Sequence, residues 1–175
     1  MVRCFYLPPQ MADYLEIMMK FITLALLFVV STSAFAMDQF PKGPDATITP
    51  GALCLNPDAH RYPEQINYCN RNVDTDTKRG RFQAYDQLGY RTRSMDRQDF
   101  KIDHYIPLCM GGSNDIKNLW PQHKSVYAIT DPLEPVLCDK MAQGKLLQKK
   151  AVEIIMYAKA HLDEVPAIIA KANAL

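Results

Sequence analysis

A chain of 175 residues with 20 lysines and arginines against 19 aspartates and glutamates carries a formal charge of +1. That length supports one domain with one core and is short for two. The charge balance excludes a whole-molecule electrostatic footprint for a polyanionic partner, so any such footprint has to be a local patch.

Lys20 is followed by an apolar run, Phe21 to Val30, and then by Ser31-Thr32-Ser33-Ala34-Phe35-Ala36. A basic residue, a short apolar stretch and a small-residue site of the A-x-A kind are the parts of a secretory signal peptide. The run falls short of the roughly 20 residues that a spanning helix needs, which disfavours an uncleaved anchor. Residues 1–36 are therefore read as upstream residues plus signal peptide, with the natural start at Met18 or Met19. The mature chain would begin at Met37, act in the periplasm or outside the cell, and keep no stable membrane association.

Cys54, Cys69, Cys109 and Cys138 follow the cleavage point, and an even number behind an export signal suggests disulfides. Of the three possible connectivities we expect Cys54–Cys69 and Cys109–Cys138. The first closes a loop of about 15 residues, worth about 3 kcal/mol in the chain-entropy view. A structural zinc site competes with this, but C-x-x-C pairs are absent and the spacings are wide.

Residues 37–72 form a proline-rich N-terminal extension in which regular structure is not expected. The first helix should start near Asp74 or Thr75 and stop before Gly89, with Phe82, Tyr85 and Leu88 on one face. Lys78, Arg79 and Arg81 lie largely elsewhere on it. For any one of them a solvated helix face is the ordinary account. Together with Arg71, Arg91, Arg93 and Arg97 they form a candidate phosphate-binding surface, of which Arg71, Lys78, Arg79 and Arg81 are the leading members. Phe100 to Ile106 reads as a strand by alternation of Phe100, Ile102 and His104. A Gly-Gly-Ser-Asn-Asp loop leads to a short apolar piece, Leu119-Trp120-Pro121. A helical stretch from Ser125 to Met141, interrupted by Pro132 and Pro135, should end at Gly144. The last helix is expected over Lys145–His161, with Leu147, Ala151, Ile154, Ile155, Ala158 and Leu162 as its core stripe.

Chemistry concentrates between Asp103 and His123. Phosphodiester hydrolysis needs a base that works near neutral pH, which histidine supplies. It also needs charge stabilisation at the phosphorus and at the departing oxygen, which a divalent cation can provide. Hard cations want a carboxylate and an amide carbonyl, and Asp103, His104 and Asn118 offer that combination. Gly111-Gly112 permits a sharp reversal that could bring Asn118 back beside Asp103. Adjacent strand residues point to opposite faces, so Asp103 and His104 can share a site only where the strand twists or ends.

This stretch resembles the HNH, or ββα-metal, nuclease motif: an Asp-His pair at a strand end, Pro107, the Gly111-Gly112 loop, and Asn118-Leu119 leading into a second strand and a helix. Thr49-Pro50-Gly51-Ala52-Leu53-Cys54, the run from Gly111 to Pro121 and Leu137-Cys138 resemble small exported bacterial proteins with that signature. The resemblance implies that His104 activates water and that Asp103 and Asn118 bind or orient the metal. It also implies cleavage to a 5′ phosphate and a 3′ hydroxyl. Where many family members carry a third His or Asn this chain has Tyr127, so His123, the nearby imidazole, is offered as the third catalytic member. Trp120 is read as core, and His60 and His161 as surface.

The expected fold is α+β: a small disulfide-stapled domain, residues 73–175, containing a ββα-metal (HNH) unit flanked by helices. The expected function is an exported endonuclease that hydrolyses DNA, with RNA as a second substrate class, at low sequence specificity. Mg²⁺ is the expected metal, with Mn²⁺ and Zn²⁺ as alternatives. The rival is a secreted nucleic-acid- or protein-binding module that keeps the fold without catalysis.

Overall fold

Helix α1 (Thr75–Gln87) begins where the sequence places it, because the Asp74 side chain accepts the Thr77 N–H at 2.6 Å. That bond satisfies a backbone donor which the first turn leaves without an intrahelical partner. The computed structural model describes residues 38–175, all of which fall in one unit, Met37–Leu175. The signal-peptide reading of residues 1–36 lies outside the described residues. No helix among the described residues is long and apolar enough to cross a membrane.

The domain is α+β, with two small antiparallel sheets and five α-helices among the described residues. Strand β1 (Ala59–Arg61) pairs with β2 (Ile66–Tyr68) inside the proline-rich stretch that was expected to be irregular. Its prolines bound the ladder instead of interrupting it: Pro57 precedes β1, and Pro63 sits in the turn. Tyr62 and Gln65 take left-handed conformations to close that turn. The stretch is also tied to the central motif, through the Leu53–Gly112 bridge and the Cys54 N–H to Gly111 carbonyl bond at 2.8 Å.

Strand β3 (Phe100–His104) runs antiparallel to β4 (Leu119–His123), with Phe100 opposite His123 and His104 opposite Leu119. Helix α2 (Lys124–Thr130) follows β4 directly, and α3 (Leu133–Ala142) starts after Pro132. The expected single stretch is thus two helices. Pro132 makes the break, whereas Pro135 sits in the first turn of α3, where no intrahelical N–H is lost. Helix α4 (Gln148–Ala160) begins three residues later than expected, leaving Leu147 exposed. A fifth helix, α5 (Val165–Asn173), was not foreseen, because Pro166 reads as a breaker but occupies the first helical turn.

One core cluster joins α3, α4 and α5 through Leu137, Met141, Ile155, Ala158 and Val165, and reaches Ile106 and Met110. A second packs Phe82 of α1 on Phe100, Ile102 and Leu119, and a third groups Tyr85, Trp120 and Val126. Trp120 is fully buried, as the core reading requires. Both expected disulfides are present: Cys54–Cys69 with Cα atoms 5.8 Å apart, and Cys109–Cys138 at 6.0 Å. The first anchors the segment that carries Arg71, and the second fastens the motif loop to α3.

Candidate functional site

The loop between β3 and β4 is built around two glycines with different jobs. Gly111 has φ +82°, a conformation that side chains disfavour. Gly112 is needed for closeness, since a Cβ there would lie 1.8 Å from the Ile106 carbonyl oxygen. Asn118 clasps the same loop. Its Oδ1 accepts the Ile106 N–H at 2.8 Å, and its Nδ2 donates to the Ile106 and Ser113 carbonyls, both at 2.9 Å. The amide thus behaves like a backbone peptide closing a ladder rung.

This changes the reading of Asn118. It is fully buried, and both its carbonyl and its NH₂ group are committed to the backbone, so it holds the loop instead of facing a cation. The turn-holding alternative that its position also allows accounts for every bond it makes.

Asp103 and His104 do reach one place. The ladder ends at His104, and both residues line a cleft of about 200 Å³ together with Arg71, Pro107, Leu108, Cys109 and Glu134. The strand-face difficulty is resolved by that termination.

His104 is buried, with both ring nitrogens partnered. Asn114 presents Oδ1 to His104 Nε2 at 3.1 Å. The orientation of that amide is fixed by its other bonds: Nδ2 donates to the Asn70 carbonyl at 2.7 Å, and Oδ1 also accepts the Asn72 N–H at 3.2 Å. Nε2 must therefore carry the proton. The opposite nitrogen, Nδ1, faces Arg71 Nη1 at 3.3 Å, and a guanidinium can only donate. Both neighbours select the tautomer with a lone pair on Nδ1. Burial pushes the imidazole pKa down to about 4; the Asn114 hydrogen bond opposes the shift, and the Arg71 charge adds to it. The ring is neutral at pH 7, as a proton acceptor has to be.

Behind this pair lies a charge network that the sequence did not announce. Lys159 of α4 is fully buried, with Nζ 2.7 Å from the His104 carbonyl oxygen, 3.3 Å from Asp103 and 2.8 Å from Glu134. Lys101 lies 3.6 Å from Asp103 and binds both oxygens of Asp131, at 2.8 and 2.7 Å. Burial raises the Asp103 pKa, but Lys159 and Lys101 outweigh it and hold the group below its ordinary value. For Glu134 burial prevails over Lys159, and its pKa is raised.

Asp103, Asp131 and Glu134 each present an oxygen within 4.8 Å of the others. Oxygen donors of this kind suit Mg²⁺ or Mn²⁺ better than Zn²⁺, which favours nitrogen and sulfur. Asp131 is engaged on both oxygens by Lys101, and Asp103 and Glu134 are the two that line the cleft. The three carboxylates are thus a candidate metal-binding group of a kind that suits a hard divalent cation, with Lys159 already bonded to Asp103 and Glu134.

His123 is not part of this site. It pairs with Phe100 at the far end of the ladder, four residues along β4 from the partner of His104, or about 13 Å at the usual strand rise. Its ring stacks on Phe40 at 3.9 Å, and its Nδ1 accepts the Ser125 N–H at 3.2 Å, capping α2. His123→Ala should therefore weaken the fold while leaving any turnover by the cleft close to wild type. Thermal unfolding and a cleavage assay on the same preparation check both halves.

The four cations expected at phosphate separate. Arg71 is at the cleft, anchored by a 2.8 Å bond from Nη2 to the Ile102 carbonyl. Lys78 and Arg79 line a surface groove elsewhere on α1. Arg81 is buried and bonds the carbonyls of Leu119 and Ile48 and the Thr49 hydroxyl, so it is a framework residue. Its helix-face position concealed that role. His60 and His161 are exposed, as expected.

Three members were missed: Asn114, Glu134 and Lys159. Asn114 stands in the motif loop and could have been suspected from its spacing to His104. Glu134 and Lys159 come from α3 and α4, and no local pattern tells a buried lysine from a solvated one. No family model, no curated protein and no solved structure matches the chain, so its chemistry is read from the geometry above.

Proposed function

We propose that this protein is a divalent-metal-dependent nuclease of the HNH type, exported and of low sequence specificity, hydrolysing phosphodiester bonds of DNA and, as a second class, RNA. The observation that carries the reading is the tautomer: His104 has its acceptor nitrogen, Nδ1, on Arg71, a guanidinium of the same cleft that Asp103 and Glu134 line. The hairpin followed by a helix supports it, because that is the element order the resemblance implies.

When a phosphate oxygen draws Arg71 Nη1 away, His104 Nδ1 is free to take a proton from water as the oxygen attacks phosphorus, and the imidazolium formed keeps its Nε2–H bond to Asn114. Arg71, anchored on the Ile102 carbonyl, has guanidinium N–H groups left to hold a non-bridging phosphate oxygen. Asp103 and Glu134 would hold the metal, and Lys159 keeps Asp103 ionised for that purpose. The bound cation would supply positive charge to the phosphoryl oxygens and the departing 3′ oxygen. No base-reading element is evident among the described residues, and low sequence specificity is part of the proposal.

The pH dependence tests this assignment. Protonation of His104 removes the base, so kcat/KM should fall as pH drops through about 4 and be level above it. Asn114→Asp places a carboxylate against Nε2–H, which favours the imidazolium and raises its pKa, so the acid limb should move upward. An unchanged limb in that variant would mean that His104 is not the titrating base.

The rival reading, a non-catalytic binding module, draws on the lysines: Asp103, Glu134 and Asp131 are all bonded to cations of the protein itself. Metal-dependent cleavage lost on His104→Ala separates the two, since a module has no turnover to lose.

A further inference from the structure

The first turns of α1 and the Thr92–Arg97 segment enclose a groove of about 420 Å³, apart from the cleft. Phe82 and Met95 are its apolar members, and Lys78, Arg79, Arg93 and Arg97 supply its charge. Four cations in one groove stand out in a chain whose formal charge is +1. Arg97 and Arg93 are also held in place. Arg97 donates to the Phe100 carbonyl at 2.7 Å and lies over the Phe82 ring at 4.5 Å. Arg93 Nε binds Asp86 at 2.8 Å, and that carboxylate also takes the Thr92 and Arg93 N–H groups, bracing the segment. Arg79 pairs with Asp76 at an exposed position, and Lys78 has no ion pair among the described residues.

The groove and the cleft are separate but are linked by short stretches of chain. Arg71 lines the cleft and Thr75 lines the groove, four residues apart and so at most about 14 Å by chain length. Arg97 is bonded to Phe100, the first residue of the strand that ends at His104, again about 13 Å along. Braced guanidinium groups above an apolar floor suit a sugar-phosphate chain, with forks for phosphate and apolar surface for sugar.

We propose that this groove binds the phosphate backbone of the substrate strand a few nucleotides from the bond cleaved in the His104 site. It rests on the nuclease reading for the cleft, and binding can be read without turnover. The test uses the oxidised protein and single-stranded oligonucleotides of about 4 and about 20 nucleotides, with anisotropy followed across a NaCl series in EDTA. Lys78→Gln/Arg79→Gln/Arg93→Gln should bind the longer strand more weakly. Its slope of log K against log salt should be shallower by about 2, at about 0.7 for each phosphate that the variant no longer neutralises. Lys78→Arg/Arg79→Lys should keep the wild-type slope, which assigns the effect to charge. Lys78→Glu alone should weaken the long strand in the same direction should the triple variant not fold. A triple variant with wild-type affinity and slope overturns the groove, even if the protein cleaves DNA. Groove-dependent binding by a protein that cleaves nothing with any metal upholds the groove and removes the nuclease reading.

Discussion

His104→Ala should lower metal-dependent cleavage on the order of 10²–10⁴-fold, the usual worth of a positioned general base. In free energy that is about 3–5 kcal/mol of transition-state stabilisation. The size follows from the site. The ring is neutral at pH 7 because burial holds its pKa at about 4, and Asn114 and Arg71 both select the tautomer with the lone pair on Nδ1. Alanine removes the proton acceptor and leaves Arg71 and the carboxylates in place, so substrate binding should survive better than turnover. The measurement is kcat and KM on one oligonucleotide for both proteins. A variant that turns over like the wild type would strip His104 of its role.

Lys159→Met should destabilise the fold by about 3–5 kcal/mol, the cost of breaking a buried ion pair by removing one partner. The ammonium is fully buried and is shared by Asp103, Glu134 and the His104 carbonyl, so its loss leaves Glu134 without its cation and Asp103 with only the more distant Lys101. Methionine keeps most of the volume, so the loss is of charge and not of packing.

The pH dependence has a definite sign. In the wild type the depressed pKa of Asp103 contributes stability that is full above its unfolded value of 3.8 and is lost as pH falls through the lower folded value. Lys159, raised from 10.5 by those carboxylates against the opposing effect of burial, contributes stability that is full below 10.5 and is lost as pH rises through the folded value. In the variant both carboxyls are pushed up, and the folded state takes up protons more readily than the unfolded one. The gap between the two proteins should therefore narrow from pH 7 to mildly acid conditions, as seen in urea unfolding. A gap that is absent, or constant over that range, would contradict the charge-network account.

What the sequence disclosed was local. Asp74 as a cap, the alternation of Phe100, Ile102 and His104, and the two glycines each act on residues within a few positions. Both disulfide pairings also hold. What stayed hidden depends on distant partners. Lys159 reads as one more helix cation until α4 is laid against β3, and Arg81 hides its carbonyl partners in the same way. Asn118 has a composition suited to a metal and a geometry suited to a loop, and only the positions of Ile106 and Ser113 decide between them. His123 is the imidazole nearest Asn118 in sequence, whereas its ladder partner is Phe100, at the end of the hairpin away from His104. The short β1–β2 hairpin escaped notice because each strand has only three residues, too few for alternation to show.

The central claim is that the cleft hydrolyses phosphodiesters with a divalent cation held by Asp103 and Glu134. It is tested most directly by incubating the oxidised wild-type protein with plasmid DNA and with RNA in Mg²⁺, in Mn²⁺ and in EDTA. The account predicts cleavage of DNA with metal, 5′-phosphate ends, and none in EDTA. Intact nucleic acid under every metal, from protein shown to be folded and disulfide-bonded, would contradict it, and equal cleavage in EDTA would remove the metal from the site.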